Sequence, residues 1–248
     1  MKQRNAMSIL EEFDSSYTWV NFEEGKRIRL FHGSKGGIEG AVSPFRSRKL
    51  CDFGQGFYLG TKESQAKGLV CTYPAPKFYT TILDPCGLRI LQLNGISWML
   101  AVGCSRGVIP QNKYPHVYSI VEELLNSADV VCGLIADDEM YPSLRIFCDG
   151  LISDTTLIKC LSAIPFGNQY ALKTEKACVA LHLTNCIHLG ENEIERLLAF
   201  KHRQREESKK FAREIIAEDY GQGRQIQKII DPLEEEILRE STNFRPSM

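Results

Sequence analysis

Three short stretches carry residues whose types could do chemistry: His32-Gly33-Ser34, Asp52-Phe53-Gly54-Gln55-Gly56-Phe57-Tyr58-Leu59 and Asn168-Gln169-Tyr170. An imidazole can donate and accept hydrogen bonds at once. Two closely spaced glycines let a backbone turn tightly or approach a ligand, and an aromatic pair then enters an apolar segment. Alternation along a strand sets Tyr58 opposite Phe57 and Leu59, which makes Tyr58 the cleft residue of the three. It also sets Gln169, Ala171 and Lys173 opposite Asn168, Tyr170 and Leu172. Tyr170 and Leu172 suit a core, so Gln169 is expected to face a cleft. Taken singly, His32 also reads as a polar strand end, and the aromatic run as core.

In this order, with Tyr58 26 residues after His32, the stretches resemble the signature of the ADP-ribosyltransferase superfamily. The branch is that of the poly(ADP-ribose) polymerases and diphtheria toxin, which reads His, Tyr and Glu on three separate strands. Gln169 stands at the third position. The resemblance covers roughly residues 27 to 185. It implies an α+β fold with a split β-sheet core, two packed sheets with an NAD cleft between them, NAD as substrate, and no metal. His32 would then bind ribose hydroxyls, the Gly33 backbone the nicotinamide amide, Tyr58 the nicotinamide plane and Gln169 the ribose. The family glutamate favours positive charge growing on the ribosyl carbon as nicotinamide leaves, much as in glycoside cleavage. An amide keeps the hydrogen bond and loses the charge, and removing one such group costs ~10²–10³ in rate. The resemblance therefore implies a mono-ADP-ribosyltransferase of bacterial type, a candidate toxin or effector. Its acceptor, whether protein, nucleic acid or small molecule, is open. So are two other readings, a silent NAD or ADP-ribose-binding module and an NAD glycohydrolase.

Other residues extend the constellation. Ser34 and Gly56 lie inside the motifs. Arg46, Arg48 and Lys49 form a basic cluster that could meet a pyrophosphate through guanidinium forks, or sit in a solvated loop. Ser64, with Gln65, could touch the nicotinamide amide from the helix after Tyr58, and Tyr73 is a candidate second aromatic wall. Asp137 and Asp138 could orient a substrate or cap a helix. Glu175 lies ~20 Å beyond Gln169 if the strand continues, too far to serve the same ribose. Cys178, His182, Cys186 and His188 do not match the spacing of a common structural zinc site and read as a strand. Phosphate loops of the Walker or Rossmann type are absent.

The elements that must position these residues follow from periodicity. Strands are expected at 27–32, 57–59, 79–83, 88–93, 129–135, 168–173 and 178–183. Helices are expected near 9–13, 63–70, 96–104, 118–126 and 153–163, with Thr61 and Asn94 as caps. Without strict βαβ alternation this is an α+β pattern. Residues 1–26 form a polar lead, 27–190 the domain and 191–248 a helical extension. That extension is almost wholly charged between 201 and 210 and breaks at Gly221-Gln222-Gly223. It then carries an Ile/Leu stripe from 226 to 238, with Pro232 as a kink or stop. The hairpin packs on the domain or docks a protein partner, such as an inhibitor.

Composition limits the remaining classes. Over 248 residues, 43% hydrophobic and 25% charged content is ordinary for a globular chain. A net charge of −1 gives no electrostatic argument for nucleic acid or an anionic membrane. Nine scattered cysteines with no CxxC pair, and no apolar signal segment, point to a reducing cytoplasm. Apolar runs fall short of the ~18 residues of a membrane span.

Overall fold

Among the described residues, eight strands in a single mixed sheet run in the order β1-β5-β6-β7-β3-β2-β4-β8. They are β1 (Tyr17–Val20), β2 (Ile28–Ser34), β3 (Phe57–Gly60), β4 (Lys77–Leu83), β5 (Ile90–Leu93), β6 (Val130–Leu134), β7 (Asn168–Leu172) and β8 (Leu181–His188). The computed structural model describes residues 7–135, 141–163, 167–218 and 223–243. Its helices are α1 (Ile9–Ser15), α2 (Glu63–Gly68), α3 (Gly95–Ser105), α4 (Pro115–Asn126), α5 (Tyr141–Cys148), α6 (Asp154–Ala163), α7 (Glu175–Val179), α8 (Glu191–Glu218) and α9 (Gln227–Asn243). The class is α+β, as the pattern predicts. Among the described strands only β5 and β6 pair in parallel, and α3 and α4 form the crossover that parallel pairing requires.

The sheet nearly divides between β3 and β2. These strands pair at one position, Phe31 with Gly60, whereas β2 and β4 pair at seven, from Ile28–Leu83 to Ser34–Lys77. One part is thus β1-β5-β6-β7-β3 and the other β2-β4-β8, joined at a narrow seam.

The two faces are covered differently. Leu30, Leu59, Leu83, Ile90, Val130 and Leu172 form a core on one face, closed by Ala177 and Cys178 of α7. The other face carries most of the helices. There α3 is buried on all sides from Ile96 to Cys104, as a helix apolar all round must be. Across the seam, Phe31 and Phe78 pack beneath Ala66 and Val70, in and just beyond α2.

Helix α8 spans this helical face. Ile194 and Leu197 join the cluster under α2, and Ala212, Ile215 and Ile216 join the main core. Its charged middle is largely exposed, which suits a solvent-bridging helix. Helix α9 lies inside the main core through Ile229, Ile230 and Leu233, with Ile226 just before it, each at most 3% exposed. Of the two placements left open for the Ile/Leu stripe, the domain or a partner, most of it is covered by the chain itself. The boundary at 190 separates chain segments but not packing units.

Local departures from the sequence reading have plain causes. The strand expected at 178–183 begins at Leu181, because Thr174 caps α7 by accepting from Ala177 N–H. Lys62, not Thr61, stands at the start of α2. The Thr61 hydroxyl instead accepts from Asn168 N–H at 3.0 Å, fastening β7 to the chain after β3. Gly33 and Ser34 continue β2 and do not turn out of it. Strand β1 and helix α5 had no expected counterpart. Asp137 and Asp138 lie outside the described residues. None of the nine cysteines forms a disulfide. Among the described residues no helix is long and apolar enough to cross a membrane.

Candidate functional site

The three motifs come together on neighbouring strands, His32 on β2, Tyr58 on β3 and Gln169 on β7. Cross-strand partners share a face. Tyr58 opposes Ala171 and Gly60 opposes Gln169, so Tyr58 and Gln169 look to the helical face as alternation predicts. His32 lies on the other face. Its ring stacks on Phe57 with centroids 4.3 Å apart. What it shares with Tyr58 is the seam, because Nδ1 lies 2.7 Å from the Tyr58 carbonyl. A carbonyl only accepts, so Nδ1 carries the proton and Nε2 is the acceptor nitrogen. Burial lowers the His32 pKa below its ordinary value, which favours this neutral ring.

Tyr58 holds the turn that precedes it. Its hydroxyl accepts from Phe53 N–H at 2.9 Å and donates to the Gly54 carbonyl at 2.7 Å. Burial raises its pKa well above the usual value, so the phenol stays protonated. Gly54 has φ +72°, a left-handed conformation that favours glycine. Phe53 is fully buried, and Lys173 donates to its carbonyl at 2.5 Å. The turn is thus fixed by an aromatic anchor, a phenol and an amine.

Beneath the turn lies a polar network that sequence reasoning missed. Asp52 is 5% and Gln169 8% exposed. Gln169 Nε2 donates to Asp52 Oδ2 at 2.5 Å and to the Leu134 carbonyl at 3.1 Å. Arg106, at the C-terminal cap of α3, donates from Nε to Asp52 Oδ1 at 2.6 Å and also pairs through Nη2. Asp52 opens the Phe-Gly-x-Gly run, so it was visible but had no assigned partner. Arg106 gave no local signal beyond a lone cation after an apolar helix.

The other expected residues sit at varied distances from this centre. Gly33 faces the helical side, where an added Cβ would collide with the Ala66 carbonyl and lie 3.0 Å from both Val70 methyls. Ser34 exchanges hydrogen bonds with Gly37 N–H and C=O. A Cβ on Gly56 would lie 3.0 Å from the Leu172 carbonyl, so glycine allows β3 and β7 to meet closely there. Arg46 is exposed and donates to the Glu39 carbonyl, and Arg48 is exposed in the same loop. Ser64 is exposed and lines a surface recess between α2 and α8. Gln65 instead reaches over Gly60, its Oε1 2.6 Å from where a Cβ would stand. Tyr73 packs at the edge of the α2 cluster with Lys35 4.3 Å above its ring.

An open cleft of ≈ 600 Å³ adjoins the turn, lined by Phe53, Gly54, Tyr118, Val121, Leu125 and Lys173. Burial lowers the Lys173 pKa to about 8. An unfolded lysine titrates near 10.4, so between these values the unfolded chain binds more protons and stability rises with pH. Below about pH 8 the buried charge costs its full amount. We expect Lys173→Met to be more stable than the parent at pH 7 by about 1–2 kcal/mol, after allowing for the lost hydrogen bond. That advantage should vanish by pH 10.5. Urea unfolding at both pH values checks it, and equal advantages at the two would refute the burial argument.

A seamed α+β sheet with a buried acid–amide–guanidinium network is the class of site this chain builds. A family described as Protein of unknown function (DUF3990) matches residues 28–183, and the chain belongs to it. The matched stretch runs from the first residue of β2 into β8 and so contains His32, Asp52, Tyr58, Arg106 and Gln169. Comparison with the curated proteins and with the solved structures gave no match.

Proposed function

We propose that this protein is an NAD-dependent mono-ADP-ribosyltransferase of the poly(ADP-ribose) polymerase and diphtheria-toxin branch, working in the cytoplasm as a toxin or effector. One observation carries the reading. Motifs distant in sequence meet on three adjacent strands, β7, β3 and β2, on either side of a seam closed by one residue pair. The resemblance calls for two packed sheets with a cleft between them, whereas here the two parts stay joined in one sheet; a dinucleotide crossing the seam would meet His32 on one face and Gln169 on the other. His32 Nε2 would accept from a ribose hydroxyl, and Gln169 would hold the second ribose as nicotinamide departs. An acceptor nucleophile then attacks the ribosyl carbon, and single transfer is expected because residue 169 is neutral.

The burial of Gln169 favours a second reading, an NAD or ADP-ribose-binding module without turnover. Incubation with adenylate-labelled NAD and a cell lysate separates the two. Nicotinamide release with label in a macromolecular fraction, lost in folded His32→Ala, supports the transferase. Label found only in free ADP-ribose means a glycohydrolase. Binding without release from the parent protein leaves the binding module in place of the enzyme.

A further inference from the structure

Residue 169 sits where two acceptors converge on one nitrogen. The Asp52 carboxylate and the Leu134 carbonyl both take hydrogen bonds from Gln169 Nε2. The Leu134 carbonyl accepts from Trp98 Nε1 as well, at 2.8 Å, which fixes its direction. An amide nitrogen, with its two hydrogens, satisfies both neighbours. A glutamate oxygen there would face a carboxylate and a carbonyl, with no hydrogen to offer either. The surroundings therefore favour glutamine over glutamate at this position.

That arrangement also settles which way the amide points. Both hydrogen bonds of the Gln169 side chain among the described residues use Nε2, so Oε1 is the end of the amide that neither contact uses. Arg106 holds the far carboxylate oxygen, Oδ1, while Oδ2 meets the amide. The ion pair is thus oriented with its negative end toward residue 169. A hydrogen bond to a charged group is the stronger kind, and it polarises the amide so that Oε1 accepts more strongly.

We infer that Asp52 supplies the anionic group of this site, acting through Gln169 as a positioning residue that presents the amide oxygen to a ribose hydroxyl of the bound ligand. This rests on the proposed NAD reading. Asp52 sits one hydrogen bond behind the position where the resembled family places its glutamate. Arg106 holds Asp52 from the end of α3, and the fully buried Phe53 anchors the turn beside it. The charge is displaced inward by one residue and relayed, not lost.

The test is a pair of exchanges with NAD and with nicotinamide alone as probes, read by calorimetry. The Asp52→Asn exchange is isosteric and leaves an oxygen to accept from Arg106, but it turns an amide nitrogen toward the Gln169 amide. Gln169 must then rotate and offer N–H groups to the ligand. We expect Asp52→Asn to weaken NAD at least tenfold and leave nicotinamide, which has no ribose, unchanged. Gln169→Glu should weaken NAD similarly. The double variant should recover at least threefold of that loss, since the amide introduced at position 52 can donate to the carboxylate introduced at position 169. Gln169→Met, which keeps the Asp52–Arg106 pair, covers the case in which Asp52→Asn fails to fold. It too should lose NAD and keep nicotinamide.

An unchanged NAD affinity in folded Asp52→Asn would overturn the inference, as would equal losses for NAD and nicotinamide. If Asp52→Asn does not fold, unchanged NAD affinity in Gln169→Met overturns it. A parent protein that binds neither NAD nor ADP-ribose removes the NAD reading itself. That failure is distinct, because it is seen before any variant is made, and it leaves Asp52 a purely structural role.

Discussion

Leu233→Ala and Ile229→Ala will each destabilise the protein by about 2–5 kcal/mol, and together they will leave little of the native state. Both side chains are at most 1% exposed, deep in the core shared with α3 and α4. Helix α9 also supplies acid groups to other helices. Glu234 accepts from His116 and Val117 N–H at 3.0 and 2.8 Å, capping α4, which has no side-chain cap of its own. Glu236 accepts from Leu10 N–H in α1 at 3.3 Å. Arg224, just before α9, donates to both Glu12 oxygens and pairs with Asp154. Leu238, 45% exposed on the same helix, is the control, and its alanine variant should stay within about 0.5 kcal/mol of the parent. Urea midpoints decide the matter. Equal midpoints for Leu233→Ala and Leu238→Ala would show that α9 is not part of the core in solution.

Gly33→Ala will open the seam from its helical side. The added methyl points into the Ala66 carbonyl, and backbone cannot yield as a side-chain tip can. Helix α2 must lift, taking Val70 off the cluster that holds Phe31 and Phe78. Overpacking of this kind costs about 1–3 kcal/mol. Gly36→Ala is the matched control, since a Cβ there meets nothing within 4 Å and its φ lies outside the left-handed region. Under the NAD reading Gly33→Ala also loses ligand affinity, whereas Gly36→Ala does not. Thermal unfolding and NAD titration of the pair read both effects, and parity between the variants would refute the close approach of α2. Gly33 thus has a packing duty that exists whether or not its backbone touches nicotinamide.

The order of motifs, the α+β class and the phase of each strand were legible in the sequence because they depend on local chemistry. Alternation alone set Tyr58 opposite Phe57, and Gln169 opposite Tyr170 and Leu172, and the strand registers agree. The cap at Asn94 and the charged middle of α8 were equally local. Lys173 was in phase with Gln169, but only burial gives its amine a depressed pKa.

What the tertiary structure decided is every pairing across distance. Asp52, Arg106 and Gln169 lie on a turn, a helix end and a strand far apart in the chain, and nothing in their neighbours announces a shared network. The opposite placement of His32 and Gln169 depends on which residues pair across the β2–β3 seam, a register that no single strand specifies. The apolar stripe on α9 could equally have served a partner. Whether such a face is core or interface depends on what is packed against it, and here α1 and α4 already are.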